Sequence, residues 1–196
     1  ICSLPEVHPC RLLREGNGLA DDDVHSLFED REGSFWIGSE GGLSRLVRRD
    51  LRSYGEAEGL PDRQVYALAA DGAGGIWVGT TSGLGHLSFG PHGEPSARVW
   101  KRDAGLAANW VWALLRSRRG ELWVGTEEGL SRLLPSGRFE SLRTADGLAG
   151  DYVVSLYEER SGALWVGSID GLSRLRFDAT GARSEIQVFT AADGLA

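Results

Sequence analysis

Residues 121–133 read "ELWVGTEEGLSRL". Close copies stand at 34–46, "SFWIGSEGGLSRL", and at 163–175, "ALWVGSIDGLSRL", with a looser one at 75–87, "GIWVGTTSGLGHL". A stretch that recurs at a fixed step along one chain is the signature of a repeat architecture. The tryptophans of the copies, Trp36, Trp77, Trp123 and Trp165, are spaced by 41, 46 and 42 residues. A Gly-Leu pair beginning at Gly18, Gly59, Gly105, Gly147 and Gly194 keeps the same step. Periods of about 40–50 residues belong to helical-pair solenoids or to propeller blades.

The local chemistry decides between them. Each period holds four short runs rich in Val, Leu and aromatics. The first is "VHSLFED", "VYALAAD", "VWALLRS" or "VVSLYEE". The second is the W-[IV]-G-[ST] word, the third "GLSRL" or its variant, and the fourth "LRSY", "ARVW", "RFESL" or "EIQVF". Glycines fall between the runs, and none is long enough for an ordinary helix. Gly33, Gly120 and Gly162 suit tight hairpin turns between the first two runs. Four strands joined by short turns make an antiparallel meander, and repeating it makes a β-propeller. The first run lacks clean apolar/polar alternation, as Val65, Tyr66, Ala67 and Leu68 show. That suits the innermost strand, covered on both faces by neighbouring blades.

The expected organisation follows from the two rulers. Residues 18–58, 59–104, 105–146 and 147–193 are four blades, and 194–196 begin a further repeat. Aligning Gly18 on Gly194 sets Leu12-Leu13 on Val188-Phe189. Residues 1–17 are therefore expected to end a preceding blade, with its fourth strand at about 10–13. Four blades with a surplus fourth strand do not make a tidy small ring. The chain also starts at Ile1 and contains no methionine. The expectation is an all-β chain whose four four-stranded blades form an open arc of a larger ring of seven or eight blades.

Composition removes several function classes. The formal charge is −7, and the basic residues are scattered arginines with a single lysine, Lys101. No basic stripe for nucleic acid appears. No apolar run approaches the ~20 residues of a membrane span. The two cysteines, Cys2 and Cys10, would form a disulfide in an oxidising compartment, but one pair without context does not decide it. His8, His25, His86 and His92 sit at unrelated repeat positions, and no Cys-His or His-Glu spacing suggests zinc.

The unit "GL-x4-V-x-[SA]-L-x-E-D-x2-G-x-[LF]-W-[IV]-G-[ST]-x2-GL-S-R-L" resembles the two-component regulator propeller repeat. Residues 18–46 and 147–175 are close matches. The second unit departs at "LAADGAGG" and at Gly85-His86, and the third puts Arg116-Ser117 where others have an acidic pair. The resemblance implies a periplasmic sensor region of a larger bacterial signalling protein. Family members commonly carry a histidine kinase or diguanylate cyclase as output, and several sense oligosaccharides. It implies an oligosaccharide or other small ligand as partner, beside the remaining blades of a homodimeric parent. Nucleic acid, membrane contact by this segment, metal and cofactor are not expected. No kinase or cyclase motif occurs in these residues.

Repetition makes Trp36, Trp77, Trp123 and Trp165 packing residues between blades. The recurring Arg45, Arg132 and Arg174, with His86 in the fourth place, read as structural donors. Specificity belongs to positions that vary inside the constant frame. The residue before each first strand is Asp23, Gln64, Trp110 or Tyr152, and the second strand residue is His25, Tyr66, Trp112 or Val154. The turns between second and third strands add Glu40, Thr81, Glu127, Glu128 and Asp170. In a meander these turns share one end with the connections between blades. Aromatics beside carboxylates and amides suit a sugar. The same residues also serve as ordinary loop positions, with Trp110 and Trp112 packing locally. Three function classes stand: a ligand sensor without chemistry, a propeller enzyme of sialidase-like or streptogramin-lyase-like type, and a bare scaffold. Asp30 and Gly33 before Trp36 suggest a sialidase Asp-box turn, with poor agreement in spacing and hydroxyl residues.

Overall fold

A computed structural model describes residues 12–48 and 50–195. Each repeat is a four-stranded antiparallel sheet with its strands in chain order. Blade 1 holds β1 (Val24–Glu29), β2 (Phe35–Ser39), β3 (Gly42–Val47) and β4 (Asp50–Tyr54). Blade 2 holds β5 (Val65–Ala70), β6 (Ile76–Thr80), β7 (Gly83–Phe89) and β8 (Pro95–Trp100). Blade 3 holds β9 (Val111–Arg116), β10 (Leu122–Thr126), β11 (Gly129–Leu133) and β12 (Phe139–Leu142). Blade 4 holds β13 (Val153–Glu158), β14 (Leu164–Ser168), β15 (Gly171–Phe177) and β16 (Arg183–Phe189). The first strands pack side by side in the order β1, β5, β9, β13 and line the inner wall. Among the described residues the blades form an open arc and do not close into a ring. Half of the strand expected at about 10–13 falls outside the described residues, and Leu12 and Leu13 belong to no strand. Cys2 and Cys10 lie outside the described residues.

The apolar cores lie between blades. One joins Trp36, Leu43 and Tyr54 of blade 1 to Leu60, Val65, Ile76, Val78 and Leu87 of blade 2. The next joins Ala69, Trp77 and Leu84 to Leu106, Val111, Leu122 and Val124. The third joins Trp123 and Leu130 to Leu148, Val153, Leu164, Val166 and Leu175. At the centre of each contact a valine of one blade enters a glycine of the blade before. A Cβ added to Gly38 would stand 2.6 Å from Val65 Cγ1, one on Gly79 2.6 Å from Val111 Cγ1, and one on Gly125 2.7 Å from Val153 Cγ1. No real Cβ tolerates that approach, so the glycine of W-[IV]-G-[ST] is required by its neighbour's valine. Val65, Val111 and Val153 are 0 % exposed.

The other letters of the repeated word have equally local reasons. The Ser or Thr after the glycine donates to the carbonyl that closes the next turn. Ser39 reaches Gly42 O at 2.9 Å, Thr80 Gly83 O at 2.8 Å, Thr126 Gly129 O at 2.8 Å and Ser168 Gly171 O at 2.9 Å. The Ser of "GLSRL" accepts from the backbone of the incoming connection: Ala20 N to Ser44 Oγ, 2.9 Å; Ala107 N to Ser131 Oγ, 3.0 Å; Ala149 N to Ser173 Oγ, 2.8 Å. In blade 2 the serine is Gly85 and the donor is replaced by Pro61, which has no N–H to satisfy. The two departures from the repeat compensate each other. The connections themselves turn at the Gly of each Gly-Leu pair, where φ lies at +106°, +92°, +100° and +104° for Gly18, Gly59, Gly105 and Gly147. Only glycine adopts that conformation without strain.

Tryptophan and arginine form a clamp with the acid that follows the first strand. In blade 1, Trp36 Nε1 donates to Asp30 Oδ2 at 2.9 Å, and the Arg45 guanidinium stacks 4.7 Å from the Trp36 ring. In blade 4, Glu159 accepts from Trp165 Nε1 at 2.6 Å and from Arg174 Nε and Nη2 at 2.7 and 2.9 Å. Blade 2 substitutes His86, which stacks on Trp77 at 4.2 Å with Nε2 2.8 Å from Asp71 Oδ2. Blade 3 has Ser117 in place of the acid. There Arg132 turns to Glu121 at 3.3 Å, Glu140 at 2.8 Å and the Gly181 carbonyl of blade 4 at 3.0 Å.

The Arg174 fork, with Ser161 and Trp165, holds the Glu159 carboxyl down to about 2. A folded-state value below the usual 4.5 stabilises the fold above the ordinary carboxylate range, and that contribution is lost as the acid protonates. Urea unfolding of wild type and Glu159→Gln should show wild type the more stable at neutral pH. The gap should close as pH falls from the ordinary carboxylate range toward about 2. A gap that is constant with pH would contradict the clamp.

Candidate functional site

Every first strand is distorted at its second residue. The ladder pairs Val24 with Ser39 and then Ser26 with Gly38, leaving His25 without a partner. The same shift leaves out Tyr66, Trp112 and Val154. A β-bulge frees one residue from the ladder and re-aims its side chain. In blades 2 to 4 the valine before the bulge is the one seated in the neighbouring glycine. The residue after it is thrown toward the end of the arc where the connections between blades meet the turns joining second and third strands.

The result is a continuous line of rings. His25 stacks on Tyr66 at 4.4 Å with an 18° tilt. Tyr66 lies 4.9 Å from Trp112 and 6.1 Å from Trp110. Trp110 and Trp112 stack at 4.7 Å, and Trp112 lies 5.6 Å from Tyr152. The line crosses all four blades. The indole Nε1 atoms of Trp110 and Trp112 are buried and have no hydrogen-bond acceptor among the described residues.

Glu40 anchors one end of the line. Its Oε1 lies 2.9 Å from His25 Nε2 and accepts from Tyr66 OH at 3.0 Å, while Gln64 Nε2 donates to its Oε2. Gln64 Oε1 also faces Thr81 Oγ1 at 3.4 Å, and Thr81 and Ser82 both donate to Asp62 Oδ2, at 2.8 and 2.6 Å. The bonds from Gln64, then from His25 and Tyr66, hold the Glu40 carboxyl below its ordinary range. Burial pushes the Tyr66 phenol up, and the Glu40 carboxylate beside it adds to the push.

The structure brings most of the sequence candidates to this rim. The backbone joins the two sets directly: Glu40 N donates to Asp23 O at 3.1 Å, Glu127 N to Trp110 O at 3.3 Å, and Ile169 N to Tyr152 O at 3.2 Å. Asp23, Gln64, Trp110, Tyr152, Glu40 and Glu127 therefore share one edge. Glu128 and Asp170 stand one position further along their turns. Glu128 pairs with Arg102 at 2.8 Å, and Asp170 packs against the backbone of Gly150. Ile169, exposed at the position equivalent to Glu40, was not singled out by sequence, nor were Asp62 and Ser82. At the opposite end a recess of about 750 Å³ opens between the first turns of blades 1 to 3, where Asp30 and Glu32 mix with Arg116 and Arg118. Among the described residues no group of three His, Cys, Asp or Glu is placed to hold a metal. Among the described residues no helix is long and apolar enough to cross a membrane.

The family model described as "Two component regulator propeller" matches residues 18–41, 59–82, 105–128 and 147–170. Among curated proteins, none matches this chain. Solved structures are similar in fold. The extracellular domain of a hybrid two component system from B. thetaiotaomicron superposes with a TM-score of 0.76 at 22 % identity, over 95 % of this chain and 25 % of that one. A second such domain, of a one component system from the same organism, gives 0.73 at 21 %, over 92 % and 26 %. A virginiamycin B lyase from Staphylococcus aureus, solved with quinupristin, gives 0.63 at 17 %, over 85 % and 55 %. The chain thus spans about a quarter of the length of the two extracellular domains.

Spectrophotometric titration of tyrosine tests the rim. One phenol should ionise above the ordinary value of about 10. That phenol should vanish from the curve in Tyr66→Phe and move downward in Glu40→Gln. If Tyr66→Phe removes only a phenol of ordinary pKa, the contact with Glu40 is not formed.

Proposed function

The four repeats place this chain in the two component regulator propeller family, and we propose from this that it is part of the periplasmic, ligand-sensing propeller of a bacterial signal-transduction protein and binds an oligosaccharide along its inner rim. In this reading the segment is not itself catalytic. The chemistry of the signal, a kinase or a diguanylate cyclase, belongs to the parent protein. The extracellular location of the two similar domains supports the compartment.

The observation that carries the ligand is the line His25, Tyr66, Trp110, Trp112 and Tyr152. Aromatic faces cover the apolar faces of sugar rings, and their polar edges order the hydroxyls. Glu40 and Gln64 supply an acceptor and a donor at one end of the line. A line of rings across four blades fits an extended chain of sugars better than one ring. Asp23 and Glu127 flank the rim and would take hydroxyls at its edge, while Glu128 and Asp170 would meet the ligand only beyond it. A second reading, a propeller enzyme of the lyase or sialidase-like kind, rests on the pair of His25 with Glu40, an arrangement suited to general base work.

Titration calorimetry against an oligosaccharide panel tests the proposal. We expect saturable heat for at least one member, with a change in tryptophan fluorescence. Trp112→Ala should weaken that binding about tenfold or more, as loss of a central aromatic anchor does. Flat heats for the whole panel at millimolar sugar count against it. Turnover of a panel member, abolished by His25→Ala, favours the enzyme instead.

A further inference from the structure

The two ends of the blades treat their carboxylates differently. At the end that carries the clamps, acids meet bases. Asp30 lies 3.7 Å from Arg45, Asp71 2.8 Å from His86, Glu121 3.3 Å from Arg132 and Glu159 2.7 Å from Arg174. At the rim, no lysine or arginine among the described residues pairs with Asp23, Glu40, Asp62, Glu127 or Asp170. Glu40 is held by His25, Tyr66 and Gln64, and Asp62 by Thr81, Ser82 and the amide of Gln64. Hydrogen bonds from neutral groups favour the charged form of a carboxylate and leave its charge in place. Two arginines at this end are taken up by Glu128. Its carboxylate pairs with Arg102 at 2.8 Å, and its carbonyl accepts from Arg143 Nε at 2.9 Å. Arg63 is exposed beside Asp62.

The negative charge reaches the rings. Burial raises the Tyr66 phenol most. The bond and charge of Glu40, and then the charges of Asp23 and Asp62, raise it further. Carboxylates of both blade 1 and blade 2 therefore act on one ring at the centre of their contact. A concave site lined by one sign of charge concentrates ligands of the opposite sign. Aromatic faces attract cations as well, because the ring quadrupole is negative over the face.

We propose that the sugar taken by this rim is cationic: an oligosaccharide whose residues carry free ammonium groups, held by the rings and steered by the rim carboxylates. This rests on the rim being a sugar site and narrows which sugar it takes. An ammonium group offers three donors and a full charge, which suits carboxylates that no base of the protein has neutralised. A neutral oligomer meets the same rings without that charge. A chain of uronic acids sets carboxylates against carboxylates, a like-charge contact that suppresses binding. The order of affinity is cationic, then neutral, then anionic.

Titration calorimetry with three oligomers of matched length tests the order: glucosamine, N-acetylglucosamine and galacturonic acid. At about pH 7, below the ordinary range of an amine beside an electron-withdrawing group, the glucosamine oligomer should bind about tenfold or more tighter than the neutral one, as expected of opposite charge in a focused field. The galacturonic acid oligomer should give no heat. Raising salt from about 50 to 500 mM should shrink the preference, since exposed charges are screened. Glu40→Gln and Asp62→Asn should each lower the ratio of cationic to neutral affinity. A variant that merely distorts the rim weakens both oligomers together and leaves that ratio in place. A cationic oligomer no tighter than the neutral one, an anionic oligomer that binds best, or a preference unmoved by salt and by both variants would overturn the proposal while leaving the rim a sugar site. Flat heats for all three would overturn it together with the rim reading.

Discussion

A valine methyl against a glycine Cα is the contact on which this architecture depends. The inner strands lie so close that no side chain fits at Gly38, Gly79 or Gly125. Around each such point the tryptophan and leucine of one blade meet the valines and leucines of the next. The sheets have no core of their own. A sheet with two apolar faces is stable only between neighbours, which is why stacked repeats stabilise one another in a chain of nearest-neighbour contacts.

The candidate site is built beside that valine. In all four blades a bulge follows it and releases the next residue from the ladder. That residue is held in place by a rigid frame yet contributes nothing to the frame's hydrogen bonding. It is free to be His25, Tyr66, Trp112 or Val154. The position before the valine is similarly free, since the frame uses only its backbone: its carbonyl accepts from the amide of the opposite turn at Asp23, Trp110 and Tyr152, and its amide donates to Asp21 or Asp62 at Asp23 and Gln64. Constant packing on one side of each valine and variable chemistry on the other is a division of labour imposed by geometry.

Most of the fold was legible in the sequence because the period repeats the reasons for it. The runs read as strands coincide with β1 to β16 within two residues at either end. Trp36, Trp77 and Trp123 lie in the cores between blades, while Trp165 packs on Phe189 of its own blade. Arg45 pairs with Asp30 at 3.7 Å and Arg174 donates to Glu159. Less was legible where a pattern has two causes. The broken alternation of "VYALAA" was assigned to burial on both faces, and the bulge after Val65, which contributes to it, leaves no separate trace in composition. Among the eight candidate residues, the alignment could not tell neighbouring turn positions apart: Glu127 stands beside Trp110, while Glu128 one residue later turns to Arg102. A one-residue step reverses direction in a tight turn, and only coordinates resolve it. The compensation of Gly85 by Pro61 was likewise invisible, because it joins positions 24 residues apart that touch only in the fold.

A double-mutant cycle on one blade contact tests the central claim most directly. Gly79→Ala, Val111→Ala and the double variant would be compared by urea unfolding. The added Cβ would stand 2.6 Å from Val111 Cγ1, so Gly79→Ala alone should cost about 1–3 kcal/mol, as overpacking does. Removing the valine methyls leaves room for it. The double variant should therefore be destabilised by about 1 kcal/mol less than the sum of the singles, the coupling expected of residues in contact. Costs that add within about 0.5 kcal/mol, the behaviour of independent sites, would show that the valine does not sit on the glycine.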